Sequence, residues 1–354
     1  MNYSQYFLYI PYRLFWHLCK FYRILFKKNR KIIFYCGTTI DYAAFKNVHK
    51  FLPEVKVIAK NRKVKKNLKN MFDLESSLYP SFPDVLIMNR HTARKFPEKK
   101  ILKFGMRHGA YHFKNFVTPK RYNAFNTYFV TSKQEALLAR ERGIVSAVPA
   151  GFPKIDDAFN GSISSSQLSR LIKKLGFNNN KPTVIFTATW ENSRMSRVEK
   201  WAKRLNELKD DYNILATLHP WVSKKYYLIL RNNPHVHFIE TRDILPYLMI
   251  SDVMVADMSS IIAEFCALDK PLITFKIYEG KRISPEIISM LEKISFRVDT
   301  FEQVVEALKK AVTNPNKHTN QRKKYNKIMF DTLDGRAGER IANIILDQIK
   351  KRNI

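Results

Sequence analysis

The sequence predicts an α/β chain built on two doubly wound parallel sheets, and three observations carry that prediction. Short apolar runs alternate with segments of helical periodicity along nearly the whole chain. These runs fall into two groups, separated by a stretch rich in Ser, Asn and Lys at 160–182. At 354 residues the chain is long enough for about two domains. Alternation of this kind places parallel strands in the middle and helices on both faces.

The elements follow in order. Tyr6 to Phe26 is dense in aromatic and aliphatic residues, yet Arg13, His17, Lys20 and Arg23 interrupt it. No run approaches the ~18–20 apolar residues needed to cross a bilayer. The cations recur every three or four residues, on through Lys27, and so share one helical face, while Leu14, Leu18, Phe21 and Leu25 cover the other. This pattern predicts an interfacial amphipathic helix within a membrane-surface segment, 1–31, resting on an anionic bilayer without spanning it. A signal-peptide cleavage pattern is absent, because the charges are interleaved and the small-residue site is missing. Lys27, Lys28, Arg30 and Lys31, and a second basic run from Lys60 to Lys69, extend the cationic footprint.

The first domain is expected over 32–159, with strands at Ile32–Cys36, Val55–Ala59, Val85–Met88, Ile101–Phe104 and Tyr128–Thr131 and a helix from about Ser132 to Arg142. The connector, 160–182, encloses a short basic helix. The second domain, 183–334, holds strands at Thr183–Thr187, Asn213–Leu218, Val236–Ile239, Val253–Ala256 and Leu272–Phe275. A long helix occupies 335–354.

Ser251 to Thr274 is the most informative stretch. A buried strand ends at Asp257, Ser259 and Ser260; a helix follows to Leu268; Lys270-Pro271 leads into the next strand. Hydroxyls at a helix N-terminus suit a phosphate or pyrophosphate, although the same residues also serve as plain helix caps. Charge points to an anionic partner. The net charge is +31, and residues 1–120 hold 25 Lys/Arg against 6 Asp/Glu. No RRM, KH or helix-turn-helix signature accompanies it, which argues against nucleic acid. Three cysteines, Cys19, Cys36 and Cys266, are far apart and lack metal-type spacing, as expected of a reducing compartment.

Asp257-Met258-Ser259-Ser260 followed by Leu268-Asp269-Lys270-Pro271 resembles the nucleotide-binding segment of the CDP-glycerol glycerophosphotransferases, the family of teichoic-acid primases and polymerases. Met258 stands where that family has an aromatic residue. Arg107-His108-Gly109 resembles the family's His-Gly motif, with Arg107 in place of an aromatic. Thr187-Ala188-Thr189-Trp190 resembles its Pro-Thr-Trp segment without the proline, and His219-Pro220 its His-Pro motif. Asp334-Gly335-Arg336-Ala337 with Arg340 resembles its C-terminal signature. The similarity runs in order from about Phe104 to the end of the chain.

The resemblance implies the GT-B architecture, two such domains facing a cleft. It also implies transfer of glycerol phosphate from CDP-glycerol to a hydroxyl of a lipid-linked or polymeric acceptor, with release of CMP. His108 is then the candidate general base on the acceptor side. Gly109 beside it lets substrate approach, and Arg107 would hold the imidazole neutral or bind the acceptor's phosphate. Thr189, His219, Asp257, Ser259 and Ser260 would hold the donor's phosphates, and Glu264 would reach the ribose. Arg336 and Arg340 would add positive charge or simply decorate the last helix. No tightly bound cofactor or metal is expected. Such an enzyme would work peripherally on the cytoplasmic face of the membrane. Two other readings stay open on the residues alone: a GT-B glycosyltransferase using a nucleotide sugar, and a non-catalytic polyanion binder.

Overall fold

The structure, a computed structural model, describes residues 4–89, 91–110, 118–278 and 284–352. It divides into two compact units. The first begins with helix α1 (Ser4–Leu25) and strand β1 (Ile32–Cys36). It continues through α2 (Thr39–His49), β2 (Lys56–Ala59), α3 (Arg62–Phe72), β3 (Ser77–Leu78), β4 (Val85–Met88) and β5 (Leu102–Met106). It then runs through α4 (Pro119–Tyr122), β6 (Thr127–Val130), α5 (Lys133–Glu141) and β7 (Ala147–Pro149). The strands form one parallel sheet in the order β3-β2-β1-β4-β5-β6-β7, so the chain reverses direction across the sheet between β1 and β4.

Its central strands are apolar on both sides, and side chains alternate between two cores. Ile32, Phe34 and Cys36 of β1 join one cluster, with Phe45, Val57 and Phe104. Ile33 and Tyr35 join the other, with Leu86, Met88 and Tyr128. Gly105 in β5 is required by close approach. A Cβ there would stand 2.2 Å from the Tyr128 ring.

Helix α1 docks on the second of these cores, and it does so by the face expected to meet lipid headgroups. Tyr12 donates its hydroxyl to the Ser81 carbonyl at 2.8 Å, and the Trp16 indole donates to the Pro83 carbonyl at 2.6 Å. Lys20 and Arg23 both reach the buried carboxylate of Asp84, at 2.9 and 3.1 Å. His17 lies 3.5 Å from Glu98. These cations anchor the helix to its own domain, which corrects the expectation that they face a membrane. Leu14, Leu18, Phe21 and Leu25 point outward; Phe21 is 64% exposed. Lys27, Lys28 and Arg30 remain exposed just beyond the helix. Among the described residues no helix is long and apolar enough to cross a membrane.

The second unit holds α6 (Ser165–Lys174), β8 (Thr183–Ala188), α7 (Val198–Trp201), β9 (Asn213–Leu218), α8 (Lys224–Arg231), β10 (Val236–Phe238) and α9 (Leu245–Ile250). After these come β11 (Val253–Ala256), α10 (Ile261–Ala267), β12 (Leu272–Phe275), α11 (Pro285–Ile294), β13 (Ser295–Val298), α12 (Phe301–Thr313) and α13 (Thr319–Phe330). Its sheet is also parallel, ordered β10-β9-β8-β11-β12-β13, and reverses between β8 and β11. The 160–182 stretch belongs to this unit.

The last helix, α14 (Ala337–Lys351), returns to the first unit. Ile341 and Ile345 enter the core beside Phe34. Gly338 lets the helix lie directly on α2, since a Cβ there would stand 2.4 Å from the Asn47 carbonyl oxygen. Asp156 accepts the Gly338 N–H at 2.6 Å, and Asn47 donates to the Pro153 carbonyl at 2.8 Å.

Candidate functional site

In doubly wound sheets ligands gather at the strand C-terminal ends where the chain order reverses. In the second unit that place lies between β8 and β11. Thr189 follows β8, His219 follows β9, and Asp257, Ser259 and Ser260 follow β11, all on one edge of one sheet. The structure therefore brings these five residues to adjoining strand ends.

Their roles differ from one another. Asp257 is fully buried and accepts the backbone N–H of Thr189 at 2.8 and 3.0 Å, of Met258 at 2.6 Å and of Arg197 at 3.3 Å. Burial pushes its carboxyl up to about 7, and these N–H bonds act against the shift. Asp257 is thus the clamp that holds the segment after β8 against the end of β11. It does not present a carboxylate to a ligand, so a direct phosphate contact by its side chain is set aside.

The three hydroxyls are placed otherwise. Ser259 and Ser260 are half-buried and open α10, yet neither side chain caps the helix. Among the described residues neither hydroxyl takes part in a hydrogen bond, nor does that of Thr189. The plain capping role is therefore not what these serines do. Glu264, one turn beyond Ser260, is 2% exposed and faces inward.

His219 is half-buried, and its Nδ1 accepts the Trp221 backbone N–H at 3.2 Å. That bond puts the proton of the neutral ring on Nε2, which makes Nε2 a donor. Its ring lies among Trp190 and the 66% exposed Trp221, whose indoles meet edge to face at 5.2 Å. Glu191 accepts both the N–H and the hydroxyl of Ser223 at 2.6 Å, tying the loops after β8 and β9 together.

In the first unit His108 follows β5, one strand beyond the reversal, and Gly109 comes directly after it in the chain. Arg107 turns inward instead of toward a ligand. It is 7% exposed, its Nη1 lies 3.2 Å from Glu135, and it also bonds to the Tyr122 hydroxyl. Thr131 donates both its N–H and its hydroxyl to the other Glu135 oxygen, at 2.7 and 2.9 Å. The expected contact of Arg107 with an acceptor phosphate is corrected accordingly, since the guanidinium is spent on a buried pair.

Sequence reasoning missed Glu135 and His91. Ser132 and Glu135 carry the spacing of a helix start, and Ser132 does accept the Glu135 N–H at 3.1 Å. Nothing local, however, marks that glutamate as the partner of Arg107. His91 stacks on Tyr128 with centroids 5.3 Å apart, and burial together with Arg107 lowers it to about 4. Arg340 bonds to Asp334 at 2.6 Å and to the Ala150 carbonyl at 3.2 Å, and Arg336 pairs with Glu339, so the C-terminal signature serves to start and seat α14. Among the described residues no group of three or more His, Cys, Asp or Glu is arranged to hold a metal ion.

Residues 102–347 match the family model of the CDP-glycerol:poly(glycerophosphate) glycerophosphotransferases. The chain belongs to that family. The match covers the His-Gly motif and every second-unit site residue described above. Among relatives of this glycerophosphotransferase-family chain, a teichoic acid poly(ribitol-phosphate) polymerase of Bacillus spizizenii is 26% identical over 217 residues, 57% of this chain and 34% of the relative. A teichoic acid glycerol-phosphate transferase of Staphylococcus aureus is 23% identical over 212 residues, 55% of this chain and 53% of the relative. The chain thus spans about a third to a half of the length of these curated relatives.

Among solved structures, the wall teichoic acid polymerase TagF, in a variant soaked with CDPG, aligns over 99% of both chains with a TM-score of 0.65 at 15% identity. A UDP-GlcNAc 2-epimerase from Neisseria meningitidis bound to UDP-GlcNAc aligns over 90% of this chain and 100% of its own, with a TM-score of 0.60 at 15% identity. These likenesses establish the GT-B fold.

Proposed function

We propose that this family member transfers a polyol phosphate from a CDP-activated donor to a hydroxyl of a lipid-linked or polymeric acceptor in teichoic-acid-like or capsular polymer synthesis. The observation that carries the reading is the set of unengaged hydroxyls, Thr189, Ser259 and Ser260, at the chain reversal of the second sheet. An acceptor oxygen attacks phosphorus, the new O–P bond forms, and the anhydride bond to CMP breaks. His108 takes the acceptor's proton. Negative charge that grows on the phosphoryl oxygens and on CMP is met by the three hydroxyls and by Nε2–H of His219. Glu264 faces the interior of its own unit, so the expected ribose contact is set aside.

Relatives acting on ribitol phosphate and on glycerol phosphate both match. A donor screen by product formation with CDP-glycerol, CDP-ribitol and common nucleotide sugars therefore tests the reading. Product from a nucleotide sugar, with none from either CDP-polyol, would replace it with glycosyl transfer. A second check is direct. Ser259→Ala with Ser260→Ala should weaken CDP binding by about 1–3 kcal/mol, through two lost hydrogen bonds to charged oxygens. CDP should raise the thermal midpoint of the wild type more than that of the double variant. Equal protection would put the phosphates elsewhere.

The outward face of α1 suits peripheral attachment to the cytoplasmic leaflet. Leu14, Leu18 and Phe21 would enter the headgroup boundary, and Lys27, Lys28 and Arg30 would meet anionic lipid at about 1 kcal/mol each. Leu18→Glu with Phe21→Glu leaves the docked face of α1 untouched. In co-sedimentation at physiological salt this variant should release the protein from phosphatidylserine-containing vesicles. Undiminished binding would sink the assignment.

A further inference from the structure

The segment joining β8 to α7 carries a cation that no motif names. Arg197 directly precedes α7, and its backbone N–H donates to Asp257 at 3.3 Å. That carboxylate also holds Thr189 and lies two residues before Ser259. Arg197 is therefore fixed by the same clamp that arranges the three unengaged hydroxyls.

Its side chain is half-buried, and its Nη1 donates to the Ser196 carbonyl at 2.8 Å. Among the described residues no carboxylate pairs with it. A guanidinium held partly out of water is ordinarily matched by an anion, because desolvating an unmatched charge is costly. Neutral hydroxyls and a neutral imidazole donate hydrogen bonds but do not cancel charge, and the diphosphate of a CDP-linked alcohol is dianionic. The planar fork of arginine fits phosphate oxygens two at a time.

We propose that Arg197 is the cation that binds the donor's diphosphate and steadies the departing CMP. The inference rests on the donor reading above and adds to it the residue that supplies positive charge. Arg194, exposed in the same segment, is the internal control, since it carries the same charge without the bond to Asp257.

The test is calorimetric titration of the full chain with CDP and with cytidine. Arg197→Gln should lower CDP affinity by about 10- to 100-fold and leave cytidine binding unchanged. Arg197→Lys should recover part of the loss, and Arg194→Gln should bind CDP like the wild type. With substrate, the donor KM of Arg197→Gln should rise. Three results would overturn the proposal while the donor reading stands: CDP affinity unchanged in Arg197→Gln, a parallel loss for cytidine, or an equal loss in Arg194→Gln. A wild-type chain that fails to bind CDP at all would overturn the donor reading and this proposal with it.

Discussion

Replacing His108 with alanine should lower turnover by about 10²–10⁴-fold, the usual worth of a positioned proton acceptor, and leave CDP affinity unchanged. The histidine follows β5 of the first unit, whereas the hydroxyls assigned to the donor belong to the second sheet. The ascending limb of the pH dependence of kcat/KM should vanish in the variant. His219→Ala should behave differently. Its Nε2–H is assigned to the phosphates, so the donor KM should rise as turnover falls. Loss of CDP binding in His108→Ala, with His219→Ala unaffected in both binding and rate, would reverse the two roles.

Glu135→Ala should destabilise the fold by about 3–5 kcal/mol, because it strands the Arg107 guanidinium in a buried place without its counter-charge. Burial already raises the Glu135 carboxyl, while Arg107 and Thr131 pull it back, so removing the acid removes a compensated arrangement and leaves half of it. Chemical denaturation measures the loss. The double variant Arg107→Met with Glu135→Leu should be more stable than Glu135→Ala, since an apolar pair of similar volume carries no unmet charge. A double variant as unstable as the single one would mean that packing, not charge, is at stake. Turnover should also fall in Glu135→Ala, because Glu135 anchors Arg107, the residue directly before His108.

Strands buried on both faces were plain in the sequence as short unbroken apolar runs, and Ile32–Cys36, Val85–Met88, Asn213–Leu218, Val253–Ala256 and Leu272–Phe275 stand where those runs stand. Three strands left no such trace. Ser77–Leu78, Ala147–Pro149 and Ser295–Val298 are each at a sheet edge, where one side lacks a neighbour and partial exposure allows polar residues. The site followed the same logic. The positions of Thr189, His219, Ser259 and Ser260 were legible because each follows a recognisable strand. The inward turn of Arg107 depends on Glu135, 28 positions later, and the clamp role of Asp257 depends on Thr189 and Arg197, 68 and 60 positions earlier. Pairings over such distances belong to the folded sheet and have no local pattern. The cationic face of α1 misled for a related reason, since the acid that receives it, Asp84, lies beyond three intervening strands.

The return of α14 to the first unit has a consequence for how the protein is made. The second unit is drawn almost wholly from one continuous stretch, 157–333, and can close as soon as that stretch has left the ribosome. The first unit cannot. Until Ile341, Ala342, Ile345 and Ile349 arrive, part of one face of its sheet, beside the ground held by α2 and α3, and the flank of α2 lack cover. The half synthesised first is therefore completed last, and through the whole of elongation it carries an apolar surface that chaperones or premature aggregation would find.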